Sequence, residues 1–319
     1  TPAAGQAPLT ATGDFALGLA ALVAGALAMG LSPIFVRLAA GEVGPFASAF
    51  WRVALALPVL GGWALAARSE GEGPNRPTLL AGVAFAGDLF FWHLAILGTT
   101  VANATFFATT APVFVVLATW LVLRQRVGAG VLAGLGLCLL GGAALVAESA
   151  AVAPGRLAGD LSGIATAVFF AAYLLWTAQA RRTGGAALVT VWSGVVTASI
   201  LLAVALVLDG ERFWPGTAGA WGALLALGLV SQAGGQGLFA IALGRLPTTF
   251  SALVIFLEAM FAAAAGWLVL GESLSVVQAG GGVLILLGIW TARPRRRSVP
   301  GPAPESTRLP DRSAATDPA

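Results

Sequence analysis

The chain is 319 residues long, 58% hydrophobic and only 10% charged, with a mean hydropathy of +0.89. A soluble domain carries about 25% charged residues, so the composition excludes a water-soluble globular protein and points to a chain that faces lipid. The formal charge is only +3, and every basic residue is Arg, which gives a nucleic-acid partner no support.

The first 13 residues are small and polar and lack the basic stretch of a secretory leader. Apolar runs of about 20 residues then follow one another. Ten transmembrane helices are expected, over 14–39, 46–67, 78–98, 101–123, 129–147, 157–180, 187–208, 217–243, 248–270 and 275–292. Two of the breaks are hidden from hydropathy. Residues 78–123 run almost uncharged, yet at ~1.5 Å per residue one helix of that length would be roughly twice the ~30 Å hydrocarbon thickness. Gly98-Thr99-Thr100 divides it. Gly244-Arg245-Leu246-Pro247 divides 217–270 in the same way, as a helix stop followed by Pro. From Arg293 the chain is Arg, Pro, Ser and acid without periodicity, and 293–319 is expected to be a disordered cytoplasmic tail.

Cytoplasmic termini put 13 of the 17 arginines in cytoplasmic segments and only Arg156 and Arg212 outside, with Arg37 and Arg52 inside spans. The positive-inside rule selects this orientation over its reverse. The single cysteine, Cys138, has no intramolecular disulfide partner and reads as a small packing residue.

Residues 120–128 read WLVLRQRVG and residues 267–275 read WLVLGESLS, an offset of 147. At that offset Phe114 matches Phe261, Gly134 matches Gly281, and Leu139-Leu140-Gly141 matches Leu286-Leu287-Gly288. Trp51 and Trp192 align at 141. Residues 14–147 and 157–292 therefore read as two copies of one five-helix unit. Five crossings are odd, so the second copy enters the membrane inverted, as in many secondary transporters. The arginines of RQR emerge on the cytoplasmic side and GES on the outer side.

A doubled pattern of Pro-bearing helix, WLxLxE-type phrase, short loop and Gly-rich helix resembles the EamA repeat of the drug/metabolite transporter superfamily. The second copy, FLEAMFAAAAGWLVLGESLSVVQAGGGVLILLG, is close to that pattern; the first has Gln125 where the family has Glu, and the second has Ala259 where the first has Pro112. Within the family the aromatic-rich spans are similar to the YddG-type exporters of aromatic amino acids. The resemblance implies a multi-pass protein of the bacterial inner membrane. It would export small metabolites, amino acids with aromatic or bulky apolar side chains foremost, by alternating access around a midplane cavity. A monomer is expected, a weak dimer being the alternative.

Ionisable groups inside spans are expensive and hence functional candidates: Arg37, Arg52, Asp88, His93 and Glu258. His93, the only His, is expected to contact substrate. Glu258 and Asp88 are candidates for coupling or gating, as are Arg37 and Arg52, whose long stems could instead snorkel to the outer headgroups. Phe169, Tyr173 and Trp176 recur at helical spacing and suggest an aromatic face able to stack a planar ring. Gln232 and Gln236, four apart on a Gly-rich span, are expected to face inward with Asn103 toward the substrate.

No HExxH, P-loop, GxSxG or metal-spaced cluster is present, so neither an enzyme nor a cofactor is expected. Phosphorylated sugars are disfavoured, because the second half has no Arg well inside a span. Transport of another metabolite or drug, or a passive channel, are the alternatives.

Overall fold

The structure, a computed structural model, describes residues 12–68, 74–99, 101–147, 155, 157–270 and 275–294. It is all helical, with no strand among the described residues. The first half runs α1 (Thr12–Gly30), α2 (Ser32–Ala39), α3 (Pro45–Ala66), α4 (Arg76–Gly98), α5 (Val101–Thr109), α6 (Ala111–Leu121) and α7 (Ala129–Val146). The second runs α8 (Leu157–Ala180), α9 (Ala186–Leu208), α10 (Ala218–Ala226), a π-helical segment (Leu227–Gln236), α11 (Gly237–Leu243), α12 (Thr248–Val254), α13 (Phe256–Leu270) and α14 (Val276–Ala292). Seven segments among the described residues are long and apolar enough to cross a membrane, and Ala129–Leu145, Thr248–Ala264 and Val276–Ala292 are shorter apolar helices. The tail expected over 293–319 lies outside the described residues from 295 onward, as does Glu272.

The helix ends follow local chemistry. The Asn75 side chain accepts from the amide and hydroxyl of Thr78 and caps α4, with Pro77 in its first turn. Thr217 caps α10 through the Ala220 amide. Ser275 and Gln278 form a reciprocal capping box at α14. Both hidden breaks appear as helix ends, at Gly98 and at Leu243.

Four apolar segments are interrupted, three of them long enough to cross a membrane. One breaks at Leu31 between α1 and α2, beside Pro33; another breaks at Thr110 between α5 and α6, beside Pro112. The segment Ala218–Leu243 passes through the π segment. The segment from Thr248 breaks at Ile255 between α12 and α13, with no proline at the break. Proline accounts for the first two, because it removes an amide donor and clashes with the preceding turn.

Helices from the two halves pack closely. A Cβ on Gly134 of α7 would lie 2.5 Å from the carbonyl oxygen of Gly288 in α14, and one on Gly141 would lie 2.5 Å from that of Gly281. Between these contacts Cys138 points its Sγ at the carbonyl oxygen of Ile285, 3.6 Å away. As residue numbers rise along α7, their partners' numbers fall along α14, so the two helices are antiparallel. Small residues permit this approach. α4 packs antiparallel to α8, with Phe85 against Tyr173 (4.6 Å between rings) and Gly98 against Gly159.

Candidate functional site

All four interruptions border one cavity between the halves. Gly30, Ser32 and Pro33 line it at the α1–α2 break, Ala108 and Thr109 at the end of α5, Gln236 at the end of the π segment, and Ile255 and Glu258 at the α12–α13 break. Its empty volume, open solvent at the mouth included, is about 520 Å³. Irregular backbone at membrane depth is tolerated where it lines such a space.

Three ionisable side chains meet there. Arg52 of α3 is buried, and its Nε donates to Oε1 of Gln232 at 3.0 Å while the guanidinium lies 5.4 Å from the Trp92 ring centroid. Asp88, midway along α4, is buried in the cavity wall. Glu258 stands in the first turn of α13, where the helix N-terminus favours a negative charge. Its Oε1 is buried without a hydrogen-bond partner. Gln236 lines the cavity too, fully buried, with neither Nε2 nor Oε1 bonded. Buried polar groups without partners are rare in native proteins, so a bound molecule or water is expected to satisfy them.

The residues anticipated from sequence divide sharply. Arg52, Asp88, Glu258 and Gln236 converge on the cavity, and Gln232 stands behind it, holding Arg52. Arg52 does not take the snorkelling alternative: its side chain is buried and bonded to the Gln232 amide of the π segment. Arg37 is exposed and does not line the cavity. His93 is buried one residue beyond the cavity-lining Trp92. Its Nδ1 lies 2.8 Å from the Leu89 carbonyl oxygen, which can only accept, so Nδ1 carries the proton of that bond and Nε2, buried and unpartnered, is the acceptor. The side chain of Asn103 lies outside the described residues.

The aromatic face expected on α8 does not line this cavity. Thr166 and Phe170 are the α8 residues that line the cavity. Tyr173 is buried against Phe85 and Phe170, Phe169 packs on Phe91, and Trp176 is 38% exposed on the outward side. The turn that aims Phe170 inward carries Trp176 outward. Trp92, Thr105, Thr109, Thr166 and Phe170 were not anticipated from sequence. A spacing of four could have found some of them, since 88/92, 105/109, 166/170 and 258/262 all pair on the cavity wall.

Outside the cavity, the 40–44 and 209–217 loops are tied together. Glu42 accepts from the Thr217 hydroxyl (2.5 Å) and from the amides of Gly216 and Thr217 (2.9 Å each). Asp209 accepts from the amides of Phe46 and Ala47 at the start of α3, and Arg212 donates to the Ala40 carbonyl. The Thr217 hydroxyl holds the Glu42 carboxyl below the usual range; desolvation opposes this, and the two amides add to it. At the opposite helix ends Arg181 donates to the carbonyls of Ala240 and Gly184. Burial lowers its pKa, and the like charge of Arg245 lowers it further.

Comparisons with known proteins agree with this architecture. Residues 16–147 and 157–292 each match the model of the EamA-like transporter family. An uncharacterized transporter of Archaeoglobus fulgidus is 27% identical over 277 residues, covering 86% of this chain and 96% of its own. A second from the same organism is 25% identical over 266 residues, covering 81% and 90%. A solved crystal structure superposes with a TM-score of 0.73 at 20% identity, over 88% of this chain and 98% of its own, a likeness of fold.

Proposed function

We propose that this chain, which belongs to the EamA-like transporter family, exports small zwitterionic metabolites across the bacterial inner membrane by alternating access. Amino acids with aromatic or bulky apolar side chains are the substrates that fit best. The observation that carries this reading is the meeting of four interrupted helices at one polar cavity between the halves. Secondary transporters build midplane sites from discontinuous helices in this way. Arg52 would receive the substrate carboxylate and Glu258 or Asp88 its ammonium. Met29, Trp92 and Phe170 offer the apolar and aromatic surface for its side chain.

The topology proposed is ten crossings in two inverted copies, 14–147 and 157–292, with both termini cytoplasmic. The arginine distribution supports the orientation. The α7–α14 contact supports the repeat: Gly134 and Gly281 are counterparts 147 residues apart, as are Gly141 and Gly288. Each glycine touches the other pair's partner, and the counterparts Cys138 and Ile285 meet between them. A pseudo-two-fold axis between α7 and α14 produces such reciprocal contacts.

The test is flux of a labelled amino-acid panel in proteoliposomes, with L-phenylalanine and L-tryptophan included. Saturable flux competed by aromatic members is expected. Flux no greater than in protein-free liposomes, across the whole panel, removes the reading.

A further inference from the structure

The cavity does not balance its own charge. Arg52 brings one positive charge, and Asp88 and Glu258 can bring two negative ones. Glu258 is faced by Arg52 and Asp88, Asp88 by Arg52, and Arg52 also by Tyr173 and His93. The other lining elements contribute Met29, Ser32, Thr105, Thr109 and Thr166, none of them ionisable. With all three charged groups ionised one negative charge is left over, and an uncompensated charge at membrane depth is strongly disfavoured. Arg52 is committed as a fixed counter-charge by its bond to Gln232 and its packing on Trp92. Unpartnered buried atoms in the lining are Glu258 Oε1, Thr105 Oγ1 and both amide atoms of the fully buried Gln236.

We infer that the cavity holds one exchangeable positive charge, borne either by a proton on the Asp88–Glu258 pair or by the ammonium of a bound organic amine. Amines are then exported in exchange for a proton, while zwitterions cross with that proton retained. This rests on the cavity being the transport site. When an amine enters, a carboxyl O–H breaks, the proton leaves to water, and the ammonium donates to the carboxylate left behind. On the other side the ammonium departs and the carboxylate takes a proton from water. A zwitterion brings its own carboxylate to Arg52 and its ammonium to one acid; its net charge is zero, so the second acid keeps its proton.

Two probes separate the cases, 2-phenylethylamine and L-phenylalanine, which differ only by the carboxylate. Binding to the full-length protein in detergent is measured by calorimetry at pH 7 in phosphate and in MOPS, whose ionisation enthalpies differ, so that protons released are counted. Charge balance predicts about one proton released per amine bound and about none per L-phenylalanine. In Glu258→Gln and Asp88→Asn one acid is gone and no excess charge remains, so amine binding is expected to release no proton and to weaken at least about tenfold. Equal proton counts for the two probes overturn the inference, as does full release in both variants. The comparison of probes on the unsubstituted protein stands without either variant. Binding of neither probe removes the transport-site reading and the inference with it, whereas binding of both with equal counts removes the inference alone.

Discussion

Arg52 in α3 donates from Nε to Oε1 of Gln232 in the π segment across 3.0 Å, joining residues 180 apart in sequence behind the cavity wall. The bond fixes the guanidinium, and with it the positive side of the cavity. A lysine cannot reproduce it, because a compact ammonium lacks the planar fork that bonds at one edge and stacks on Trp92 at its face. In Arg52→Lys the buried Gln232 amide loses its partner, which costs about 1–3 kcal/mol. The expected result is a lower thermal midpoint in detergent, with L-phenylalanine flux reduced at least about tenfold.

The glycines between α7 and α14 give a prediction with an internal control. In Gly134→Ala the new methyl would lie 2.5 Å from the Gly288 oxygen and 2.7 Å from Ala292 Cβ, so the helices must part. Overpacking of this kind costs about 1–3 kcal/mol. A methyl on Gly136 would meet nothing within 4 Å, and Gly136→Ala should be neutral or stabilise by up to about 1 kcal/mol through helix propensity. Thermal unfolding of the two variants side by side checks the sign of each.

The tie between Glu42 and the Thr217 region titrates. Because the folded value is depressed, the stabilisation is complete at neutral pH and is lost as pH falls through the lowered value. Spin labels at Gly41 and Gly210, both in open space, should report a distance distribution that is narrow at pH 7 and broadens below the usual carboxylate range. Glu42→Gln should broaden it already at pH 7. An unchanged distribution in both tests rules out the tie as a pH-sensitive contact.

Trp92 and Trp176 should behave oppositely. Trp92 lines the cavity and supports Arg52, whereas Trp176 is on the outward side. Flux is expected to fall at least about tenfold in Trp92→Ala, which loses a stacking surface and a cation–π contact. In Trp176→Ala it should stay near that of the unsubstituted protein.

The contrast between those residues marks how far sequence reading reached. Hydropathy, Gly98-Thr99-Thr100 and the Gly244–Pro247 stop located the helices, because both lipid exposure and helix ends are written in local composition. The expense of a charge in lipid named Arg52, Asp88 and Glu258, which line the cavity, together with Arg37 and His93, which do not. Rotation of each helix about its axis was not legible. It placed Phe170 rather than Trp176 at the cavity, and it depends on packing against α4 that composition does not encode. The break at Ile255 was equally hidden, since no proline marks it, and so was the π segment that brings Gln232 to Arg52.

The most direct test of the cavity as the transport site is counterflow of labelled L-phenylalanine into proteoliposomes preloaded with the unlabelled amino acid, with Gln236→Leu beside the unsubstituted protein. Gln236 is fully buried with both amide atoms unpaired, so leucine keeps the wall's shape while removing the groups proposed to bond a substrate. The protein should remain folded, with a thermal midpoint no lower than that of the unsubstituted chain, and counterflow should fall at least about tenfold, as expected for a lost substrate hydrogen bond worth about 1.5 kcal/mol or more. Undiminished, saturable counterflow in Gln236→Leu would contradict the account.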